Sequence, residues 1–349
     1  MPLKLEHVLD PAFAGFDTII DVRSPSEYAE DHLPDAINLP VLNDDERAQV
    51  GTIYKQISPF DARKIGGALV AANAARHIST ALADKDGSWK PLVYCWRGGQ
   101  RSGSFSTILS QIGWRSEKIE GGYKSWRALV VDRVQNGTIA SPMIVLDGNT
   151  GSAKTEILHI LARRGHQVID LEGLANHRGS LFGGREGGQP SQKMFEGRLA
   201  AAIETLDPAR PVLVEAESSR VGNRTVPRAV WKALIAAPRL RMTVPIDERA
   251  AYTARAYDDM TADPAQVAAI VTKLRSLHSG EQIAEWVAQA EERDWGRLAE
   301  GLMRAHYDPR YESHRARHED PRDRLVAVDQ LRDLDRAADR VEAALAAMG

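Results

Sequence analysis

The apolar run MIVLD feeds directly into GNTGSAKT and then into EILHILARRG, spanning residues 143–165. A strand that ends in small residues and restarts as an amphipathic helix is the opening half of a parallel β-α-β unit. The first N–H groups of that helix have no intrahelical partner, so they turn toward the loop and make it a site for an anion. Gly148 and Gly151 allow the turn, and Asn149, Thr150, Ser152 and Ala153 complete the cradle. Lys154 brings an ammonium group, and the Thr155 hydroxyl is placed to reach a metal. The usual spacing is GxxxxGK[ST], and Ala153 stands where its second glycine belongs. The added methyl argues against tight nucleotide approach and NTP hydrolysis, so the expectation is a diphosphate site. A purely structural strand–turn–helix is the competing reading.

A second strand–loop–helix precedes it. PLVYC at 91–95 reads as a buried strand, YCWRGGQRS carries the chain's one cysteine, and SGSFSTILSQIG continues as helix. A thiolate is the reactive form of cysteine, and nearby cations or a helix N-terminus favour it. Arg97 and Arg101 bracket the loop, Gly98 and Gly99 let its amides turn inward, and Gln100 and Ser102 open the helix. Cys-x5-Arg therefore predicts an anion cup floored by Cys95, with Cys95 and Arg101 as the catalytic pair. Cysteine phosphatases and sulfur carriers share this spacing, and a thiol packed inertly at a strand end is the bland alternative.

Around these loops, DTIIDV (17–22), PVLVEAE (211–217) and LRMTVPI (240–246) read as further strands, with helical patterns at 44–56 and 61–83. The chain should fold as α/β. The expected order is a small domain over 1–135, a linker at 136–142, a P-loop domain over 143–247, and a mostly helical region over 248–349. With 349 residues, 43% of them hydrophobic, there is enough chain for two cores. A net charge of −3 excludes a globally basic nucleic-acid binder, though not local basic patches. A single cysteine excludes an internal disulfide framework and a cysteine-cluster metal site. The N-terminus MPLKLEHVLD has no apolar core of a secretory signal, and no run suits a bilayer, so a soluble cytoplasmic protein without a membrane partner is expected. Glu215, at the end of PVLVE, is a candidate metal contact; a salt bridge from Glu215 and Glu217 to Arg220 is the alternative. NHRGSLFGG supplies Arg178 and Ser180, which with Arg220 are candidate lid or second phosphate contacts.

DVRSPSEY (21–28), HLPDAINLP (32–40) and GGYKSW (121–126) flank the cysteine loop, and together they resemble the rhodanese family over residues 5–135. Tyr94 precedes Cys95 where phosphatases of the HCx5R pattern carry histidine. Adding GTIYKQ (51–56), FDARK (60–64), GGALVAAN (66–73), EAESSRVG (215–222) and YDPRY (307–311), the chain resembles the tRNA 2-selenouridine synthases over nearly its whole length.

That resemblance implies a transferase that converts 2-thiouridine at the wobble position of the anticodon loop into 2-selenouridine. The sulfur is first alkylated with geranyl diphosphate, and selenium from selenophosphate then replaces the S-geranyl group. It places the diphosphate on Gly148–Thr155, aided by Mg2+, and selenophosphate at Cys95, with no permanently bound cofactor. The tRNA partner needs local cations and stacking surfaces, for which Arg310, Tyr311, Arg315 and Arg317 are the candidates. A Cys-x5-Arg phosphatase or sulfurtransferase with an accessory P-loop domain is the alternative.

Overall fold

The computed structural model describes residues 2–315 and 320–348, so Arg317 lies outside the described residues. The chain forms two compact units, Met1–Gly137 with Pro190–Thr205, and Thr138–Gln189 with Leu206–Gly349.

The first unit is built on four parallel strands in the order β2-β1-β3-β4: β1 (Thr18–Asp21), β2 (Ile37–Asn38), β3 (Pro91–Tyr94) and β4 (Glu117–Lys118). The apolar runs read from sequence are its centre, with Ile20, Val22, Leu92 and Val93 fully buried. Five helices cover the sheet: α1 (Pro25–Glu30), α2 (Asp44–Gln56), α3 (Pro59–Ser79), α4 (Gln100–Ile112) and α5 (Gly122–Val131). Register pairs Ile20 with Val93 and Asp21 with Tyr94, so β1 and β3 end level. The loops leaving their carboxyl ends therefore share one edge, where open α/β sheets collect ligands.

The second unit carries five parallel strands in the order β11-β10-β5-β7-β6. Along the chain its elements are β5 (Met143–Gly148), α6 (Lys154–Arg163), β6 (Gln167–Ile169), α7 (Leu171–Ala175) and β7 (Val212–Glu215), with α8 (Gln192–Glu204) intervening before β7. A short hairpin of β8 (Arg220–Val221) and β9 (Arg224–Thr225) follows, then α9 (Arg228–Ala236) and β10 (Arg239–Thr243). Helices α10 (Ile246–Ala256), α11 (Asp258–Thr261), α12 (Pro264–Thr272), α13 (Gly280–Glu291), α14 (Trp295–Leu302) and α15 (Asp308–Arg315) come next. The chain returns through β11 (Arg324–Ala327) and α16 (Leu334–Ala346). The P-loop strand β5 is central, and α6 packs Ile157, Leu158 and Leu161 against Ala337, Ala338 and Val341 of α16.

Two features add to the expected division. The region after 248 is mostly helical, and it also supplies β11, which pairs with β10 and closes the edge of the P-loop sheet. Its segment, RLVA, shows only Val326 buried, too faint an alternation to stand out in a charged tail. Second, α8 follows β6 in sequence but belongs to the first unit. Glu204 accepts the N–H groups of Val8 and Leu9 at 3.1 and 2.7 Å. A Cβ on Gly197 would stand 3.0 Å from the Trp126 ring, so the helix lies flush against α5. Arg127 bonds Glu196 and the Lys193 carbonyl (3.1 Å) and stands 3.8 Å from Asp31, which is 1% exposed. Among the described residues no helix is long and apolar enough to cross a membrane.

Removing the Arg127 guanidinium strands two buried carboxylates. Arg127→Ala should lower unfolding free energy by about 3 kcal/mol in urea titrations, with Arg127→Lys recovering part of it.

Candidate active sites

The cysteine loop leaves β3 at Tyr94 and enters α4 at Gln100. Its arc is fixed from below by Gly121 and Gly122. The Tyr123 N–H donates to the Cys95 carbonyl at 2.8 Å and the Lys124 N–H to Trp96 at 3.0 Å. Gly122, at φ +59°, brings bare backbone against the loop; a Cβ there would collide with the Cys95 carbonyl and lie 2.6 Å from the Gly98 nitrogen. Gly98 has φ +66°, the left-handed region that glycine enters without strain. Gly99 caps α4, so the helix's first amides face the cup as the sequence suggests.

Cys95 lies at the cup's floor, 3% exposed, with its Sγ 3.1 Å from the Ser102 hydroxyl. It also packs in the apolar core with Val93 and Phe105. Arg101 is not turned to the cup as expected. Its guanidinium reaches Glu27 at 2.7 and 3.4 Å, and Glu27 also accepts Arg47 (2.8 Å) and the Ser24 N–H (3.2 Å). Burial alone would raise the Glu27 pKa; Arg101 first, then Ser24 and Arg47, outweigh it and hold the carboxyl below its ordinary range. Arg101 is therefore half of a buried ion pair. Arg97, Gly99 and Gln100 are exposed.

In the P-loop, Gly148 ends β5 and Lys154 begins α6, with the Lys154 ammonium folded onto the Gly148 carbonyl at 2.8 Å. Gly151 sits at φ +80°, where a Cβ would stand 2.7 Å from the Met303 methyl. Ala153 takes the left-handed conformation (φ +56°) but its methyl packs in the core, 4% exposed, with Ile157 and Leu158. The departure from consensus thus leaves the cradle open. One polar cavity is lined by Thr150 through Glu156, Glu172, Arg178, Ser180, Glu217 and Tyr311.

Arg178 and Ser180 meet here as expected, with Arg178 held by Asp259 at 3.0–3.1 Å and stacked 4.9 Å over Tyr257. Arg220 instead lies exposed in the β8–β9 hairpin, and no bridge from it to Glu215 or Glu217 occurs among the described residues. Glu215 does not line the cavity. It is fully buried, with Oε1 accepting the Glu172 N–H at 2.7 Å and Oε2 unpartnered. Burial first, then Asp170 and Glu172, raise its pKa well above the ordinary value. The carboxylates that do line the cavity are Glu156, Glu172, which accepts the Thr155 hydroxyl at 3.1 Å, and Glu217. Burial and then the neighbouring Glu172 push Glu217 up to about 8.

Of the residues assigned to tRNA from sequence, Tyr311 lines the P-loop cavity, and Arg310 and Arg315 line the cleft beside it. Arg249 ties α15 down, bonding Asp308 at 2.7 and 3.0 Å and the Thr150 carbonyl at 3.1 Å. Tyr311 then stands 5.9 Å from the Lys154 ammonium, and Arg315 bonds Asp147 at 3.0 and 3.1 Å. Arg310 lines an adjoining cleft with Arg239 and Ser218. Sequence reasoning missed a second, apolar cavity lined by Phe182, Met260, Trp295, Leu298, Ala299 and Met303. It shares Thr150, Ser180, Tyr257 and Tyr307 with the polar one, so the two lie side by side. The helical spacing of EQIAEW and WGRLAEGL signals buried faces but not that a hollow lies between them.

A cysteine loop on a small parallel sheet, followed by a P-loop unit, defines a two-module protein with a strand–loop–helix turn in each module. Residues 6–129 match the family model described as a rhodanese-like domain, and residues 141–270 that of the tRNA 2-selenouridine synthase AAA domain. Curated tRNA 2-selenouridine synthases are similar: that of Shewanella loihica is 38% identical over 66% of this chain and 62% of its own length. The Nitrosomonas europaea protein is 38% identical over 65% and 60%, and the Alcanivorax borkumensis protein 35% over 70% and 67%. The chain thus spans about three fifths of the first two relatives. It belongs to the tRNA 2-selenouridine synthase family.

Glu217 provides a pH test of the cavity. A folded-state pKa of about 8, against an ordinary 4.5, means the native state holds an extra proton between those values. Stability should therefore fall as pH rises through that window. Glu217→Gln should match the wild-type Tm at pH 4.5 and exceed it at about pH 9, by roughly 2–4 °C per kcal/mol relieved. Differential scanning calorimetry across pH reads this directly.

Proposed function

We propose that the chain modifies tRNA by converting wobble 2-thiouridine to 2-selenouridine through an S-geranyl intermediate. The observation that carries this reading is the apolar cavity lying against the P-loop cavity, with Thr150, Ser180, Tyr257 and Tyr307 lining both. A phosphate-only ligand has no use for such a wall. A prenyl diphosphate uses both halves, with its diphosphate on the Gly148–Thr155 amides and Lys154 and its hydrocarbon against Phe182, Trp295, Leu298 and Met303.

In the first step the thiouridine sulfur attacks C1 of geranyl diphosphate. The C1–O bond breaks and diphosphate leaves with the electron pair, while the base loses its N3 proton to solvent. Lys154 and the helix amides stabilise the negative charge that grows on the leaving oxygen. Magnesium usually keeps several waters and borrows phosphate oxygens, so Thr155 and Glu172, 3.1 Å apart, are the side chains that would hold it here. Bound there, the ion would neutralise the leaving diphosphate. In the second step the selenium of selenophosphate attacks C2 and the geranyl thiol leaves with the selenophosphate proton; water then cleaves the P–Se bond, releasing phosphate and returning a proton to N3. Cys95 and the α4 amides are the proposed receiving site, with Arg97 the free cation beside it. Because Cys95 is 3% exposed, delivery requires the Trp96–Gly99 segment to shift.

Mass spectrometry of nucleosides from tRNA incubated with both donors tests the assignment. Cys95→Ala should accumulate geranylated thiouridine without selenouridine. Lys154→Ala should slow geranylation about 100-fold or more yet still selenate pre-geranylated tRNA; unchanged geranylation would overturn the P-loop assignment. Separately, Ala299→Phe should fill the apolar cavity. It should weaken geranyl diphosphate about tenfold, or about 1.4 kcal/mol, while leaving inorganic diphosphate affinity unchanged in calorimetry.

A further inference from the structure

Of the residues first set aside for RNA, Tyr311 lines the P-loop cavity, and Arg310 and Arg315 line the cleft beside it. Another surface has the right chemistry. Helices α2 and α3 form a hairpin joined by Ile57 and Ser58, and its apex carries Tyr54, Ile57 and Phe60 at 54%, 73% and 67% exposure. None of the 13 residues of α2 is buried. The helix is held mainly by its partner, where Gly66 lets α3 approach so closely that a Cβ there would lie 3.3 Å from Val50. A helix buried nowhere, tipped by three large apolar side chains, is a surface shaped for something else.

Charge narrows the occupant. Residues 48–60 contain no Asp or Glu, in a chain of net charge −3. Lys55 and Arg63 have no ion pair among the described residues, while Lys64 pairs with Asp61 at 3.3 Å. The acids Asp44, Asp45 and Glu46 sit at the opposite end of α2, about 15 Å along its axis. Two aromatic faces beside unpaired cations fit unstacked bases and their phosphates. A protein partner or a second copy would use the apolar tip but has no need of the unpaired cations. Position agrees: Tyr54, Arg63, Gly66 and Gly67 line one cavity with Gln100 and Arg101, the opening residues of the helix behind Cys95.

We propose that the α2–α3 apex is an RNA-docking surface. Tyr54 and Phe60 stack unpaired nucleotides of the anticodon loop, and Lys55 and Arg63 hold their phosphates, so that the loop is led toward the Cys95 cup. The choice of anticodon loop rests on the proposed tRNA reaction; the surface itself is read by binding alone, so the two can fail separately.

The test is fluorescence anisotropy of the full chain with an anticodon stem–loop RNA, against a fully paired RNA duplex of equal length. Wild type should prefer the stem–loop. Tyr54→Ser with Phe60→Ser should weaken the stem–loop about tenfold or more, with Tyr54→Phe keeping wild-type affinity and the Tm of each variant unchanged. Arg63→Ala should reduce the salt dependence, by about 0.7 in the slope of log K against log salt. Unchanged stem–loop affinity in the double variant would overturn the proposal, as would equal loss on the duplex. So would a wild-type dimer in ultracentrifugation that the double variant abolishes without loss of RNA affinity. RNA binding that follows these expectations while wild type modifies no tRNA would sink the reaction and leave the surface standing.

Discussion

Both candidate sites depend on backbone meeting backbone at distances a side chain forbids. Gly122 slides its bare Cα beneath the cysteine loop, and the Cys95 and Trp96 carbonyls accept the two N–H groups that follow. That anchoring bends the loop so that its amides and the first turn of α4 converge. In the P-loop, Gly151 approaches Thr253, Met303 and the Arg249 carbonyl with the same intolerance of a Cβ. The P-loop is therefore held in shape before any ligand arrives, which spares a binding anion the ordering of the loop. The contacts are long-range in sequence, so packing of the whole unit, rather than local turn propensity, keeps the loops bent.

What the sequence made legible follows from the range of each signal. DTIIDV, PLVYC, MIVLD and PVLVE are short apolar runs, and each appears as a strand because a sheet covered on both faces leaves no polar alternation. The glycine loops were equally readable, since their spacing is local. RLVA escaped notice because β11 is an edge strand with one residue buried. The placement of α8 was illegible for another reason. Its buried face, Phe195, Leu199 and Ile203, announces that it packs, but periodicity names no partner. The same limit moved Tyr311 and Arg315: a charged segment reads as solvent-facing until Arg249 pins α15 across Thr150.

The cations expected to wait for anions are already matched inside the fold. Arg101 is held by Glu27, and Arg315 by Asp147. Burial would raise the Asp147 carboxyl, but Arg315 first, then Lys154 and Arg239, hold it below its ordinary range. Such pairs contribute little net stability, since desolvation offsets most of their attraction. They do fix direction. An arginine locked to a buried carboxylate cannot wander into an empty cup, and the amides remain the groups that face it. In the P-loop the opposite arrangement holds. Glu172 and Glu217 crowd one another beside Lys154; burial raises both carboxyls, and the neighbouring Glu172 pushes Glu217 further, up to about 8. A neutral Glu217 can then donate to a diphosphate oxygen where a second carboxylate would repel it.

Two cups rather than one also make chemical sense for the proposed reaction. Sulfur bonded to C2 of a uracil leaves poorly as an anion, and an alkyl group turns it into a neutral thiol on departure. Alkylation calls for a diphosphate grip beside a hydrocarbon wall, which the adjoining polar and apolar cavities offer. Substitution by selenium calls for a small anion held against a base, with nothing apolar needed beyond the ring. A single pocket suited to the first step would bury its selenium nucleophile in hydrocarbon, where an unpaired anion is costly. Dividing the steps between a P-loop and a cysteine cup removes that conflict, and it explains why a strand–loop–helix occurs in each unit with different residues lining the turn.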